Sequence, residues 1–426
     1  MRMINLSLLS LAIASTTLSH AAFAEQALSN LFTQGKPTVD VRYRYEHVDQ
    51  DNALNNANTQ TVRTRIGYQT GKWYGLSALL EADNVSRIGD ASYNNTRNGQ
   101  RDFSVVADPD GTEVNQALLR YDFKKGNAVL GRQRINLDNQ RFIGGVGWRQ
   151  NEQTYDGVLG QIKPITGLTL TYSYIDNINS IFGPGNGRFD NKTNPANIEG
   201  HSHLLNAQYV LLRDSRGGPQ LTLTGYSYLL GLDNIAVSGA AALGSLSSRT
   251  NGLRANAAIG NFSVVAEYAH QEDYADNPQE LDSDYYLGEL GYTFKAGVLK
   301  GLVMKAGYEV LEGDDGPGNR AFQTPLATKH AFQGWADVFL TTPAAGIEDA
   351  YVGFTAPLLG GSLQAWYHDF RAEQGSSQYG EEIDVSYAHP IPGVQGLVGL
   401  VKYASYDADD FAVDTDKLWV QLQYTY

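Results

Sequence analysis

The stretch Val39-Asp-Val-Arg-Tyr-Arg-Tyr-Glu46 alternates at every step. Successive side chains of an extended strand point to opposite sides, so Val39, Val41, Tyr43 and Tyr45 share one face and Asp40, Arg42, Arg44 and Glu46 the other. Hydrocarbon could accept only the first face. The same split recurs in Thr61-Val-Arg-Thr-Arg-Ile-Gly-Tyr68, where Arg63 and Arg65 oppose Val62, Thr64, Ile66 and Tyr68. It recurs again in Leu170-Thr-Tyr-Ser-Tyr174, in Leu221-Thr-Leu-Thr-Gly-Tyr226 and in Phe262-Ser-Val-Val-Ala-Glu-Tyr268. Segments of about ten residues with period-2 alternation are the signature of transmembrane strands.

Marked along the chain, such segments number about 18, an even count within the range of bacterial barrels. They fall near 38–48, 59–69, 75–84, 112–121, 127–135, 151–160, 168–177, 201–212, 220–230, 248–259, 262–271, 283–294, 302–311, 347–355, 362–371, 378–388, 397–405 and 415–426. Their connections alternate in length. Gly71-Lys72-Trp73, Lys124-Lys125-Gly126, Gly260-Asn261 and Lys295-Ala-Gly297 are short; 85–111, 136–150, 178–200, 231–247 and 312–346 are long. Outer-membrane barrels carry short periplasmic turns and long extracellular loops, so this parity predicts an all-β, antiparallel transmembrane barrel with both termini in the periplasm. Closure is required, because backbone N–H and C=O groups cannot be left unpaired in hydrocarbon.

The ends of the chain agree with export. Arg2, the apolar run Leu6–Ala14 and Ala22-Phe23-Ala24 have the layout of a secretory signal peptide, predicted to be cleaved after Ala24. Residues 25–426 then form one barrel domain in the outer membrane of a Gram-negative bacterium, in contact with lipid and lipopolysaccharide and expected to be a monomer. The last segment, Leu418-Trp-Val-Gln-Leu-Gln-Tyr-Thr-Tyr426, alternates and ends on an aromatic, as the strand read by barrel assembly machinery does. No later run approaches ~20 apolar residues, which excludes a helical membrane protein. Mean hydropathy is negative, but 26 Tyr, 45 Gly and no Cys suit strands with aromatic anchors and polar loops rather than a disulfide scaffold.

Charge is unevenly spread. Over 37–150 there are 15 Lys and Arg against 13 Asp and Glu; over 151–426 there are 15 against 32. One sector is therefore enriched in arginine within an acidic chain, and the uniform basic field of a nucleic-acid binder is absent. Arg42, Arg44, Arg63 and Arg65 take the non-lipid phase of the first two segments. Arg120 is placed inward by Ala117, Leu119 and Tyr121, and Arg132 and Arg134 are placed inward opposite Val129 and Ile135. Seven guanidiniums lining one side of a lumen would favour anionic solutes, since Arg stays charged and grips carboxylates with paired donors. The alternative role is a structural ladder with Asp40, Glu46, Glu81, Asp83 and Glu113.

Several of these stretches resemble the alginate export family of outer-membrane porins: Val41-Arg-Tyr-Arg-Tyr-Glu46, Arg63-Thr-Arg-Ile-Gly-Tyr68, Asp108–Gln116, Gly131-Arg-Gln-Arg-Ile-Asn-Leu-Asp-Asn-Gln-Arg-Phe142, Gly147-Trp-Arg-Gln-Asn-Glu152, Phe322–Thr328 and Gly334-Trp-Ala-Asp337. The resemblance implies a single-chain 18-stranded barrel with an arginine-lined path for an anionic uronate polymer. The chain departs from the dedicated exporter in having no long periplasmic turn to act as a plug. Uptake or diffusion of small anions or oligosaccharides therefore stands beside alginate, with a non-channel receptor or adhesin as a third reading.

Other motifs point away from catalysis and cofactors. There is no Gly-x-Ser-x-Gly nucleophile elbow. Gly183-Pro-Gly-Asn-Gly187 lacks the helix and Lys of a phosphate loop. Asp108-Pro-Asp-Gly111, Asp314-Asp315-Gly-Pro317 and Asp407-Ala-Asp-Asp410 read as turns without a complete Ca²⁺ spacing, and His201-Ser-His203 as half of a zinc set with no third ligand. Either loop 312–346 or loop 85–111 is long enough to fold into the lumen and narrow it.

Overall fold

The computed structural model describes Ser29 and residues 31–184, 192–212, 219–238, 242–314 and 316–426. The leader expected over residues 1–24 and part of the 183–187 motif lie outside these. Eighteen strands follow in order: β1 Lys36–Gln50, β2 Ala57–Gln69, β3 Leu76–Arg87, β4 Gly111–Phe123, β5 Gly126–Gln133, β6 Thr154–Ile162, β7 Leu168–Asn179, β8 Asn197–Leu212, β9 Gln220–Leu230, β10 Ser248–Ile259, β11 Phe262–Asp273, β12 Asp282–Thr293, β13 Val303–Leu311, β14 Ile347–Leu358, β15 Gly361–Arg371, β16 Gln378–Pro390, β17 Leu397–Ala408 and β18 Thr415–Thr425. Each pairs antiparallel with its sequence neighbours, and β1 pairs with β18 to close the barrel. Val39 and Tyr426 complete that seam by exchanging backbone hydrogen bonds of 3.2 and 2.8 Å. All 18 expected segments are strands. Most are longer than the alternation suggested, because the hydrogen-bond ladder continues past the point where side chains must meet lipid.

The connections keep the expected parity. Turns 70–75, 124–125, 163–167, 260–261, 294–302, 359–360 and 391–396 lie at one end, and every connection longer than 294–302 lies at the other. Outward positions carry Ile66, Leu80, Leu119, Leu130, Leu253, Leu290 and Ile383, all exposed, as a lipid-facing band must. Aromatics bound the band on both sides. Tyr268, Tyr286, Tyr308 and Tyr403 lie toward the loops, and Tyr121, Phe123 and Phe262 toward the turns, all outward and exposed.

The interior is packed rather than empty. Loops 134–153 and 312–346 both enter it. Phe142 and Ile143 of the first and Phe322, Leu326 and Phe339 of the second join Tyr226, Tyr285, Phe370 and Trp419 of the wall in one buried apolar core. The two loops are stitched by backbone bonds from Gly144 N to Leu326 O (2.8 Å) and from Thr328 N to Gln140 O (3.0 Å). Of the two loops long enough to fold into the lumen, 312–346 does so, through Phe322, Leu326 and Phe339. The 88–110 connection also turns inward at the loop end, where Tyr93 and Val106 pack on the inward-facing Val48 and Ala57 and Asp108 is fully buried.

Candidate functional site

The partition made by loops 134–153 and 312–346 is fastened to the barrel wall on two sides. On the β1–β2 side the wall supplies donors. Arg42 Nη1 donates to the carbonyls of Gly147, Trp148 and Arg149 at 3.1, 3.2 and 3.2 Å, while its Nε donates to Gln423 at 3.1 Å. Arg44 Nη2 donates to Trp148 O at 2.6 Å and to Gln421 Oε1 at 2.7 Å, and its guanidinium lies 4.1 Å from the Trp148 ring centre. Arg63 reaches Asp40 and, at 3.5 Å, the carbonyl of Gln150. Loop 134–153 answers with its own charge. Arg149 binds both oxygens of Glu46 at 2.8 and 3.0 Å, and Asp108 accepts from Gln150 N at 2.9 Å.

One strand further along, Arg65 is ringed by carboxylates: Asp83 at 2.7 Å, Glu152 at 3.3 Å and Glu81 at 3.8 Å. Arg134 joins the same group through Glu81 and Glu152, and Asn115 bridges those two acids at 2.7 and 2.6 Å. At the far side of the lumen Arg141, fully enclosed, pairs with Glu309 of β13 at 2.7 Å. The loop thus stretches from the β5–β6 wall to β1 and to β13.

On the β16–β18 side the wall supplies acceptors. Glu382 accepts from Ala336 N at 2.7 Å and Asp384 from Trp335 N at 3.1 Å. The chain can present both amides because Gln333 and Gly334 are left-handed, with φ of 50° and 78°. A side chain at Gly334 would run into the Glu382 carboxylate, its Cβ falling 2.3 Å from an oxygen. Beside this contact His330 lies flat on Trp148, ring centres 4.5 Å apart. Its Nδ1 donates to Asp337 at 2.7 Å, and its Nε2 accepts from Lys402 Nζ at 2.6 Å. Lys417 closes the chain on Asp337 at 3.1 Å. The ammonium of Lys402 also faces the Trp335 and Trp148 rings, 3.5 and 4.5 Å from their centres. Burial, and then the charge of Lys402, holds the His330 imidazole down to about 3, so the ring is neutral. Burial pulls the Asp337 carboxyl up, but Lys417 and His330 outweigh it and keep it well below the usual carboxylate range.

Above the partition, at the long-loop end, lies a cavity of about 540 Å³. Its walls are largely apolar, with Val105, Ile181, Phe182, Val237, Pro325 and Leu340, and its floor presents Arg149, Lys329, His330, Asp337 and Lys417.

The seven arginines singled out from the sequence separate into three groups. Arg42, Arg44, Arg63 and Arg65 point inward as expected but are buried under the loop. Arg134 also points inward, although only because β5 ends at Gln133 and the chain turns in. Arg120 lines the lumen near the turns, two-fifths exposed and paired with Asp122 at 2.8 Å. Arg132 is a correction. It shares its phase with Leu130, which is 57 % exposed on the outer wall, while Val129 and Gln133 are buried inside. It pairs there with Asp156 at 2.8 and 3.0 Å. The physical reason is the packed interior: when the lumen holds an apolar core, an apolar residue such as Val129 or Ile135 no longer marks the lipid side.

Sequence reading passed over Glu382, Asp384, Lys402 and Lys417, although the alternation that selected the arginines contains them, as in Glu382-Ile-Asp-Val-Ser386. Arg141, Trp148, Arg149 and His330 sit in aperiodic loops and carry no such signal. His201 and His203 stack on Tyr174 and Tyr172 at strand level, and among the described residues no cluster of three or more ligand groups could hold a metal.

No family model matches this sequence, and no curated protein matches it either. Solved structures do match the fold. OccK8 (OprE) of Pseudomonas aeruginosa superposes with a TM-score of 0.69 at 15% identity, covering 93% of this chain and 99% of its own. OccK3 (OpdO) of the same organism gives 0.66 at 14%, covering 95% and 98%. OccAB4 of Acinetobacter baumannii gives 0.66 at 13%, covering 92% and 98%. At such identities the likeness is one of architecture: the chain has the closed 18-stranded barrel of outer-membrane porin structures. The resemblance to the alginate export family is supported at that level and no finer.

Proposed function

We propose that this protein is an outer-membrane channel for small solutes that favours anions, and that it does not carry a polymer. The observation behind the reading is the partition. Loop 134–153 runs from β5–β6 to Glu46 and Glu309, loop 312–346 runs from β13–β14 to β16–β18, and backbone bonds join the two. A lumen so divided admits small molecules between packed elements, whereas alginate would need a continuous wide path. At the floor of the loop-end cavity Lys329, whose ammonium meets a backbone carbonyl rather than an acid, would attract carboxylates, with Arg149 and Lys417 beside it bound to Glu46 and Asp337. The apolar walls would hold the remainder of such a solute. The arginines of β1–β2 act on solute indirectly, by holding the loop that shapes the path.

In this reading the short turns face the periplasm, the loops face the medium, and lipid and lipopolysaccharide surround a monomeric barrel. The terminal strand ending at Tyr426 is the segment offered to barrel assembly machinery, and residues 1–24 direct export. Planar-bilayer recordings test the function. Discrete conductance steps with a reversal potential on the anion side in a salt gradient are expected, with no block by long uronate oligomers. A silent, correctly folded barrel would favour a receptor or adhesin instead.

A further inference from the structure

The two ends of the barrel differ in charge in a way that the solute path does not use. Among the described residues of the short turns stand Lys72, Lys124, Lys125, Lys163, Lys295 and Lys300, and no Asp or Glu. Lys72 is paired with Asp122 of the inner wall. The other five lysines are exposed. The same turns carry exposed apolar side chains, among them Tyr74, Ile165, Val298, Leu359 and Val394. Lysines interleaved with protruding apolar groups at a membrane boundary fit an interface with negatively charged headgroups.

On the outer wall beside Lys125 and Lys163 is a groove of about 540 Å³ across β6 to β9. Ile162, Leu170, Tyr172 and Leu205 form its sides, and Gly160 and Gly225 lie in its floor. It exists because these two floor positions lack side chains: a Cβ at either would meet no atom within 4 Å. The groove starts at the 163–167 turn, since Ile162 is followed by exposed Lys163 and pairs with Leu170. Lys125 is tied to that turn, its Nζ donating to Pro164 O at 2.8 Å.

We propose that this groove seats an acyl chain of an anionic phospholipid of the periplasmic leaflet, with the headgroup phosphate held by Lys125 and Lys163. The inference rests on the barrel lying in a two-leaflet membrane and is independent of what passes through the lumen. A groove in a lipid-facing wall is filled by whatever apolar group surrounds it, and the adjoining lysines select an anionic headgroup. A second copy of the chain fits less well. Two barrels inserted in the same direction and meeting at this face would bring Lys124, Lys125 and Lys163 of each against those of the other.

The test is native mass spectrometry of the purified, folded barrel loaded with phosphatidylglycerol or phosphatidylcholine of matched chains. Phosphatidylglycerol should be retained about thirtyfold more than phosphatidylcholine, as two lysines near a headgroup supply. Lys125→Glu with Lys163→Glu should abolish that preference and leave residual binding of both lipids. Gly160→Leu and, separately, Gly225→Leu should fill the groove and lower retention of both lipids about fivefold or more, while heat-modifiable mobility reports intact folding. Equal retention of the two lipids by the unchanged protein would overturn the proposal. So would full retention in both folded groove-filling variants, or a wild-type dimer that Gly160→Leu dissociates.

Discussion

The β1–β2 wall and the β16–β17 wall hold the internal loops with opposite chemistry. Arg42, Arg44 and Arg63 donate to loop carbonyls at Gly147, Trp148, Arg149 and Gln150, whereas Glu382 and Asp384 accept from the loop amides of Ala336 and Trp335. Both solve one problem. A loop drawn into a barrel buries backbone groups that no neighbouring strand can satisfy, and each left unpaired costs about 1–3 kcal/mol. Inward side chains must supply the missing partners, and the side of the peptide unit that faces the wall selects their sign. An arginine row and an acidic pair that look like opposite halves of a selectivity filter are thus the same device applied to carbonyls and to amides.

The sharpest way to break this comparison is at the contact between the two sides. Glu309→Ala should strand the enclosed Arg141 guanidinium and destabilise the folded barrel by about 3–5 kcal/mol, the typical loss when one partner of a buried pair is removed. Denaturant-induced unfolding in micelles measures it; a change below about 1 kcal/mol would show that the loop does not depend on this anchor.

Removing the grip on either wall should have smaller and matching effects. Arg42→Met deprives three carbonyls of a charged donor and is expected to cost about 1.5–3 kcal/mol, with Glu382→Gln losing somewhat less because the amide oxygen still accepts from Ala336 N. Each variant should show larger and noisier single-channel conductance as its loop loosens. If only the arginine variant does so, the symmetry between the walls fails.

Acid should loosen the β16–β18 side before the other. His330 is held down to about 3 against an ordinary value near 6.5. A group so depressed contributes stability fully above pH 6.5 and loses it progressively as pH falls toward 3, because only the released ring can take up the proton readily. Asp337, Lys402, Lys417 and Arg149 surround the ring, and Asp337 stays ionised through most of that window. Conductance fluctuations should therefore grow below pH 6.5, and His330→Phe should flatten that dependence. A profile unchanged by this substitution would remove His330 from the latch.

The smallest effects belong to the arginines outside the partition. Arg120→Gln and Arg132→Gln each break a partly exposed pair with an aspartate, which is expected to change stability by less than about 1 kcal/mol. Arg120→Gln should shift the reversal potential slightly toward cations. Arg132→Gln, on the outer wall, should leave it unmoved. A clear shift from Arg132→Gln would return that residue to the lumen.

Legibility in the sequence followed periodicity. The 18 strands, their antiparallel order and the end at which the turns gather were readable because lipid on one side imposes a strict two-residue rhythm over each span. Arg42, Arg44, Arg63 and Arg65 were placed inward by that rhythm, and the structure has them there. Arg132 was misplaced because the rhythm tells two faces apart without saying which one meets lipid.

What tertiary structure alone decided is the content of the lumen. Nothing periodic announces that residues 134–153 turn inward, that Trp148 stacks on His330 nearly two hundred positions away, or that Lys402 completes the contact. Strand identity is set by each residue's own exposure to lipid, a local condition written at every second position. The partition is set by pairings between loops and distant walls, which come within reach only once the sheet has closed on itself.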